Sequence, residues 1–460
     1  MKKKVLLSSI ATIALCLCLI TGATFALFTS TDEVNIVVKA GNVDMEAGIA
    51  ITKLESVVGD VNGTIEDENG AKYSYSYSDV EEPYNFINGG TASVAEKVLT
   101  LTEVTPGDKI TFEVSGTNTS DVLIQYRYKI DCVNGENLMK GLIFTVDGDL
   151  VDPYMETYTS PWNELAAKTN MENVSISVEL PVTADNKFEQ QETKIRVIVE
   201  AVQGNAVVED NTDPVITYYN TAATKEDALE VITDPYLPIV NIAEDIAETL
   251  TIADDLSNKT IYANGNDVAF VFTGKLENVV IDGIVSDSDT RSNVNVSGAA
   301  KGSEITVRNS TFKSAKDGRN ASIYLSENVN VTAENCVFYK GSAKGYGAYG
   351  YASADMTFVG CEFYDYTSWP VQINGQAKGN VTFDGCTFDV AAGVFKSQGS
   401  GIVGTFTFVN NTITAPGEKN DITKIVVTGS NNGPIVAEEV IDYGNTLNGD
   451  DTWRVPVANN

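Results

Sequence analysis

Histidine is absent from all 460 residues of the chain. This absence excludes Ser-His-Asp and Cys-His catalysis, and it excludes the HExxH zinc site of metalloproteases. EF-hand and Walker motifs are also missing, and the GSGIVG stretch at 399–404 is too short and wrongly placed to bind a dinucleotide. We therefore expect no cofactor; calcium is compatible with the composition, but no motif indicates it.

Basic residues are the second shortage. Lysine and arginine together number 31 against 63 aspartates and glutamates, so the net charge is −32. Phosphate binding needs positive charge, and the sequence therefore predicts no nucleic-acid partner and no anionic membrane. Divalent cations or cationic surfaces fit the charge better, although the solubility of an exported protein explains it more simply.

Long hydrophobic runs are confined to the N-terminus. Residues 5–20 are apolar, follow three lysines and precede small residues around Ala23 and Ala26. This order is typical of a secretory signal, so we assign residues 1–26 to a signal peptide that ends at Ala26. A retained anchor is the alternative, but the run is short for a membrane span. Since no second span or sortase-type tail is found, we expect an exported protein held non-covalently at the cell surface.

Cysteine is scarce, and its placement reveals a repeat. Cys336, Cys361 and Cys386 are 25 residues apart and occupy the same position of the phrases VTAENCVF, MTFVGCEF and VTFDGCTF. Weaker copies are VVIDGIVS at 279, ITVRNSTF at 305, FTFVNNTI at 406 and VIDYGNTL at 440. A fixed period of this length predicts one supersecondary unit stacked on the next.

Each position of the phrase has a physical interpretation. Positions one and three are apolar with threonine between them, as in a strand with one buried face. Position five is always Asn or Gly, the residues that adopt left-handed backbone angles most readily, so a bend is expected there. Positions six and eight should point inward. We expect the three cysteines to form a buried thiol ladder rather than a disulfide, and Phe338, Phe363 and Phe388 to form a buried column.

The repeated phrase resembles the pectate-lyase-like superfamily of right-handed parallel β-helices, over roughly 225–450. We assign residues 223–460 to this fold. Thr224 and Asp227 form an N-cap pair ahead of an apolar face. They predict a short capping helix that covers the first coil.

The preceding part of the chain is expected to be an antiparallel β-sandwich over 27–206, joined to the β-helix by a linker at 207–222. The expectation depends on two-residue alternation of apolar side chains. The alternating sets are Ile110, Phe112 and Val114; Val174, Ile176 and Val178; and Ile195, Val197 and Val199.

The junction TFALFTSTDEVNIVVKAGNVDME at 24–46, the Pro-Gly-Asp turn within 101–130 and the ending EAVQ at 200–203 resemble the TasA and camelysin family. The resemblance implies a jelly-roll-like sandwich, a Gram-positive host and cleavage by a SipW-type signal peptidase. It also implies self-assembly, in which the segment Leu27 to Val38 adds a strand to the next subunit. The chain departs from the family in an acidic insertion near 66–83, where Asn69-Gly70 is expected to close a hairpin.

Position four of the phrase faces solvent and supplies the only catalytic candidates. These are Asp282, Arg308, Glu334 and Asp384. If the chain is an enzyme, Glu334 and Asp384 would lie about 9.6 Å apart, near the upper limit for an inverting carboxylate pair. Arg308 would then act as the basic residue of a lyase, with Asp282 near it for a cation. The alternative is an ordinary cross-strand ion pair, with Val359 interrupting the site.

Aromatic side chains near the bends supply the ligand-binding candidates. These are Tyr339, Tyr346, Tyr349, Tyr351, Tyr364, Tyr366 and Trp369. Outward rings with one polar edge suit sugars and partner surfaces, although tyrosines on bends can also stack only on one another.

Together the sequence predicts an all-β, exported cell-surface or biofilm-matrix protein. Its sandwich would mediate assembly, and its β-helix would bind an extracellular glycan or a surface protein. The alternative is a polysaccharide lyase or glycoside hydrolase that acts through the β-helix face.

Overall fold

The computed structural model divides the chain into two compact units, Met1–Tyr219 and Asn220–Asn460. The signal with Ala26, most of the segment Leu27 to Val38 and the Asn69-Gly70 turn lie outside the described residues. The structure describes residues 29–32, 43–66, 72–78, 80–82, 84–96, 98–208, 211–286, 292–296, 302–313, 321–325, 329–339, 345–351, 354–374, 379–391, 393–398, 403–415, 425–429 and 431–458.

The first unit is built from two antiparallel sheets, A and B, with strands numbered in chain order. Sheet A runs β15-β11-β8-β14-β6-β5-β4, with β1 paired to β14 and β12 paired to β8. Its strands are β1 (Thr29–Asp32), β4 (Tyr84–Asn85), β5 (Thr91–Ala95), β6 (Val98–Thr102), β8 (Ile124–Asn134), β11 (Met155–Thr159), β12 (Asn163–Leu165), β14 (Glu192–Gln203) and β15 (Val215–Tyr218).

Sheet B runs β10-β9-β13-β7-β2-β3. Its strands are β2 (Met45–Glu66), β3 (Lys72–Ser78), β7 (Lys109–Asn118), β9 (Ile143–Val146), β10 (Asp149–Val151) and β13 (Val174–Glu179). A one-turn helix α1 (Glu136–Met139) and a 3-10 turn (Asn186–Phe188) connect strands of this unit.

The alternating apolar residues identified in the sequence form the core of this unit. On sheet B, Phe112 is paired with Ile176 and both are fully buried. On sheet A, Ile195 is fully buried on β14. The neighbouring positions of these strands are more exposed, as expected for sheets with one buried face. The prediction of an all-β fold with an antiparallel N-terminal part is confirmed.

Two segments of this unit extend the sequence-based picture. Strand β3, in the acidic insertion, pairs antiparallel with β2, and the register places Tyr75 opposite Val57 and Tyr77 opposite Glu55. Part of the segment expected to be a linker is strand: Val215–Tyr218 pairs with β11, and Thr221–Ala222 begins the second unit. Residues 215–218 are all β-branched or aromatic, which favours a strand even where alternation is weak.

The second unit is a parallel β-helix with three sheets, C, D and E. Sheet C contains β16 (Thr221–Ala222), β17 (Ile239–Ile242), β19 (Leu256–Tyr262), β21 (Leu276–Asp282), β23 (Ser303–Arg308), β26 (Val329–Glu334), β29 (Asp355–Val359), β32 (Val381–Asp384), β35 (Val403–Val409) and β38 (Ala437–Tyr443). Sheet D contains β18 (Thr249–Ile252), β20 (Ala269–Phe272), β22 (Val294–Val296), β25 (Ala321–Leu325), β28 (Tyr346–Tyr351), β31 (Val371–Asn374), β34 (Phe395–Ser397) and β37 (Val426–Thr428). Sheet E contains β24 (Thr311–Lys313), β27 (Val337–Tyr339), β30 (Glu362–Tyr366), β33 (Thr387–Val390), β36 (Thr412–Thr414) and β39 (Thr446–Leu447).

Equivalent letters of the repeated phrase lie above one another in this unit. Phe338 pairs with Phe363, and Phe363 with Phe388, in successive coils. Their rings stack with centroids 4.8 and 4.9 Å apart, and none is exposed. The β-helix interior is therefore a set of continuous side-chain columns.

Position five of the phrase is a left-handed bend in every copy where it is described. Asn335 has φ 52°, Gly360 has φ 60° and Gly385 has φ 63°. These angles are costly for residues with a branched or bulky side chain, which explains the restriction to Asn and Gly. The bends carry the chain from sheet C to sheet E.

Position six is a buried thiol in three copies of the phrase. Cys336, Cys361 and Cys386 are free and at most 1% exposed. The Sγ atom of Cys361 lies 3.3 Å from the carbonyl oxygen of Ala333, and the other two make the equivalent contact. Hydrogen bonding to Cys361 and burial raise the pKa of Cys336 and of Cys386, so both are neutral thiols.

The predicted capping helix is present. Helix α2 (Lys225–Thr233) begins at Thr224, whose side chain and that of Asp227 form a reciprocal capping box. The helix packs against β16, the edge strand of sheet C, through buried Ala228 and Ile232. In the described part of the chain, no helix is long and apolar enough to cross a membrane.

Candidate ligand-binding faces of the β-helix

The outer face of sheet C carries a ladder of threonines. They occupy position two of successive coils and are in register with one another. The members are Thr306, Thr332, Thr357, Thr382 and Thr407. Their hydroxyls form a regular polar stripe along the axis of the β-helix.

A shallow groove of about 370 Å³ lies along part of this stripe. Its polar wall consists of Asn278, Glu304, Asn330 and Asp355. Asp355 accepts hydrogen bonds from the backbone and side-chain nitrogens of Asn380, at 2.6 and 3.3 Å. The Glu304 and Asn330 side chains make no hydrogen bond with another described residue, so they remain available to a ligand. The sequence reasoning missed this wall because its residues precede the repeated phrase.

The four catalytic candidates lie in one column of sheet C, but they are not equivalent. The Nε atom of Arg308 donates to the Oδ2 atom of Asp282 at 2.6 Å, and this interaction raises the pKa of Arg308. Glu334 and Asp384 are separated by Val359, which is 39% exposed. The column therefore contains a neutralised pair and two carboxylates with an apolar side chain between them.

Sheet E places two of the aromatic candidates side by side. The rings of Tyr339 and Tyr364 stack with centroids 5.3 Å apart, and Tyr339 is 40% exposed. The Tyr364 hydroxyl donates to Glu362 Oε2 at 2.5 Å. This hydrogen bond raises the pKa of Tyr364 to about 12. The pair presents partly exposed aromatic surface with a polar edge.

Two aromatic candidates do not face solvent, which corrects the sequence-based expectation. Tyr366 is fully buried, because Asp365 has φ 60° and the register shifts between Tyr364 and Tyr366, which turns the ring inward. Tyr349 is 2% exposed although it lies on the outer side of sheet D. The rings of Tyr324 and Tyr346 pack against it at 5.8 and 5.3 Å.

The remaining candidates lie on or beside sheet D, next to residues that the sequence reasoning missed. Tyr324, Tyr349, Gln372 and Lys396 follow one another in successive strands. The Nζ atom of Lys396 lies 4.5 Å from the ring centroid of Trp369. Tyr351, at the end of β28, is 38% exposed and pairs with Asn374. The spacing of 25 residues from Tyr324 to Tyr349 was the available signal for this column.

Acidic and sulfur ligands do not converge on a metal site in the described ranges. No group of three or more Cys, Asp or Glu side chains there has the proximity that a metal ion requires.

Comparison with known proteins identifies the fold of the second unit. A family model described as a right handed beta helix region matches residues 260–441. No curated protein matches the chain significantly.

Similar solved structures include catalytic domains of GH87 alpha-1,3-glucanases. One, in complex with tetrasaccharides, is 11% identical over 90% of this chain and 93% of its own, with a TM-score of 0.21. The catalytic unit of the enzyme from Streptomyces thermodiastaticus is 11% identical over 80% of this chain and 99% of its own, also with a TM-score of 0.21. The secreted serine protease VesC from Vibrio cholerae is 10% identical over 36% of this chain and 46% of its own, with a TM-score of 0.14. The family match and the parallel register of the strands show that residues 260–441 form a right-handed β-helix.

Proposed function

We propose that the chain is an exported cell-surface or matrix protein whose β-helix is a non-catalytic, glycan-binding arm. The observation that carries this proposal is the stacked pair Tyr339 and Tyr364 on the outer side of sheet E. Partly exposed rings with a polar edge bind sugar faces at little cost in conformational entropy. The hydroxyl stripe and the groove on sheet C offer further hydrogen bonds to a polymer lying along the axis.

The catalytic candidates favour a binding role over chemistry. Arg308 is engaged by Asp282, so neither is free for proton abstraction or cation binding. An active site would place a polar group where Val359 lies.

Replacement of the tyrosine pair tests the binding role. The variant Tyr339→Ala/Tyr364→Ala should lower affinity for a bound neutral or acidic glycan about thirtyfold, since each of the two rings contributes about 1 kcal/mol. Affinity electrophoresis against a glycan panel, followed by calorimetry, gives the measurement. Tyr443→Ala is the matched control, because Tyr443 is 56% exposed on another sheet of the β-helix. The proposal would be contradicted if the unmodified protein bound no glycan. It would also be contradicted if Tyr443→Ala lost as much glycan affinity as the double variant.

For the sandwich we propose a role in self-assembly by strand exchange. Strand β1 (Thr29–Asp32) pairs antiparallel with Val199–Val202 of its own chain. The same main-chain hydrogen bonds would form if the segment Leu27 to Val38 came from another copy, with apolar residues of that segment selecting the groove. This mechanism is the one that the TasA and camelysin resemblance implies, and it would follow cleavage by a SipW-type peptidase in a Gram-positive bacterium.

Deletion of residues 27–38 from the mature protein tests the assembly role. The mature protein should form concentration-dependent oligomers in light scattering, and the deletion variant should remain monomeric. A peptide of residues 27–38 added in excess should also cap the oligomers. Oligomerisation that is unchanged by the deletion would contradict strand exchange.

A second candidate function is a polysaccharide lyase or glycoside hydrolase. One observation favours it: Glu334 and Asp384 project from the same column of sheet C, two coils apart. An enzyme should release unsaturated or reducing ends from at least one glycan of the panel, with or without calcium. Glu334→Gln and Asp384→Asn should each abolish that release, whereas Glu244→Gln, at an exposed glutamate outside the groove, should leave catalysis intact.

A further inference from the structure

The outer face of sheet D contains a cation, Lys396, that has no counterion among the described residues. The Lys396 ammonium donates to the Oδ1 atom of Asn432 at 2.7 Å and lies against the Trp369 ring. No carboxylate forms an ion pair with it in the described part of the chain. Burial of the side chain lowers the pKa of Lys396, because a desolvated ammonium is less stable than a solvated one. This is unexpected in a protein of net charge −32, where carboxylates outnumber basic groups two to one.

A second polar group beside Lys396 is also incompletely satisfied. Gln372, the neighbour of Lys396 in the same column, is 2% exposed. Its Oε1 atom is buried and accepts no hydrogen bond from any described residue. A buried amide oxygen without a donor is destabilising, so the site would gain from a ligand hydroxyl or amide that supplies one.

The third component of the site is aromatic. Tyr324 and Tyr349 stack with their rings 5° from parallel, in the two strands that precede Gln372. Tyr324 and Trp369 are partly exposed, at opposite ends of the cluster. From Tyr324 to Lys396 the column covers three coil steps of about 4.8 Å, or about 14 Å.

We propose that Tyr324, Trp369, Gln372 and Lys396 form a binding site for a saccharide that carries a carboxylate, with the carboxylate at Lys396. The hydroxyls of the sugar donate to Gln372, and its apolar faces contact the aromatic rings. A charged saccharide needs such a cation because the rest of the protein repels it. The site deepens the proposed glycan-binding function and rests on it, but it lies on a different sheet from Tyr339 and Tyr364.

A purely structural role for the cluster explains less. The contact of Lys396 with Trp369 would fasten the bend before β31 to the next coil. However, an ammonium has three donors, of which described residues use one, and the Gln372 oxygen would remain without a donor. An uncharged side chain could hold the bend against the next coil equally well.

The experiment compares polygalacturonate with its fully methyl-esterified form, which has the same rings without the charge. The mature full-length chain should bind polygalacturonate at least tenfold more tightly, and Lys396→Met should remove that preference while Lys396→Arg keeps it. Gln372→Glu, which places a carboxylate beside Lys396, should also remove it. Lys275→Met is the control, because Lys275 is an exposed lysine directly before β21 of sheet C. The circular dichroism spectrum of each variant checks folding.

Three outcomes would overturn the site. Equal affinity for the charged and esterified polymers, or a preference that survives both Lys396→Met and Gln372→Glu, shows that Lys396 does not bind the carboxylate. Equally tight binding of poly-L-glutamate shows an anion site rather than a saccharide site. If neither polysaccharide nor any other glycan of the panel binds, the proposed function fails together with the site; if only the charge preference is missing, the site alone fails.

Discussion

Phe363 stacks on Phe338 with ring centroids 4.8 Å apart and an angle of 6° between the ring planes. The separation equals the spacing of neighbouring strands in a sheet, because the two residues occupy the same position in consecutive coils. Phe383 meets Phe363 edge-on at 6.4 Å, so the column is also supported from sheet C. Loss of one ring from the middle of this column would leave a cavity that its neighbours cannot fill.

We therefore expect Phe363→Ala to destabilise the protein by about 3–5 kcal/mol, the usual cost of removing a buried phenylalanine ring. Urea unfolding followed by circular dichroism and tryptophan fluorescence measures the loss. Tyr443→Ala, at an exposed site, should change the free energy of unfolding by no more than about 0.5 kcal/mol. A Phe363→Ala variant as stable as this control would show that the column does not support the β-helix.

Gly385 provides a test of the bends. Its φ is 63°, and a Cβ atom added there would meet no other atom within 4 Å. Any cost of substitution is therefore conformational rather than steric. Gly385→Ala should destabilise by about 1–2 kcal/mol, the price of a left-handed angle for an ordinary residue, whereas Gly385→Asn should cost less. Asn335 and Asn410 already occupy equivalent bends with φ of 52° and 58°.

The comparison of the two variants by thermal unfolding separates this explanation from crowding. Crowding would make asparagine, the larger residue, the worse replacement. Alanine that proves better tolerated than asparagine would refute the conformational argument.

The repeat shows why much of the β-helix could be predicted from sequence. Cys336, Cys361 and Cys386 recur at a constant interval, and a constant interval implies constant register between coils. Burial of the phenylalanine column and the bends at Asn and Gly follow from that register. The capping helix could be predicted for a local reason, since Thr224 and Asp227 form reciprocal capping hydrogen bonds within one turn.

The errors and omissions have equally physical causes. Tyr366 was expected to face outward, but the bulge at Asp365 reverses the alternation. Gln372 and Lys396 were missed because the strands of sheet D lack the repeated phrase. Their coil intervals are 23 and 24 residues rather than 25, so their alignment with Tyr349 becomes visible only in the structure.

Asp108 allows a test of pH dependence in the sandwich. The side chain is 2% exposed and accepts hydrogen bonds from the Ser56 hydroxyl at 2.6 Å and the Thr105 backbone nitrogen at 2.8 Å. Burial raises its pKa above the ordinary value of 3.8, even though these hydrogen bonds act in the opposite direction. The folded state therefore holds this proton more tightly than the unfolded state.

The sign of the effect follows from linkage. Between pH 3.8 and the raised folded pKa of Asp108, the folded state binds more protons, so the contribution of Asp108 to stability falls as pH rises. Asp108→Asn removes this contribution. As pH rises across that window, the free energy of unfolding of the wild type should therefore fall relative to that of the variant. Hydrogen exchange of peptides covering residues 98–118 in the full mature chain, at a series of pH values, measures it locally. A difference that is constant with pH would contradict the assignment.

Tyr364 gives a second titration, on the face proposed to bind glycans. Its hydroxyl donates to Glu362 at 2.5 Å, and this hydrogen bond is the main reason that its pKa rises to about 12. Deprotonation of the phenol would remove the donor and place two negative charges side by side. Glu362→Gln should therefore return the pKa of Tyr364 toward 10, the ordinary value for tyrosine. Ultraviolet difference titration of the variant against wild type, with Tyr364→Phe to identify the transition, measures the shift; identical titration curves for wild type and Glu362→Gln would exclude the hydrogen bond as its cause.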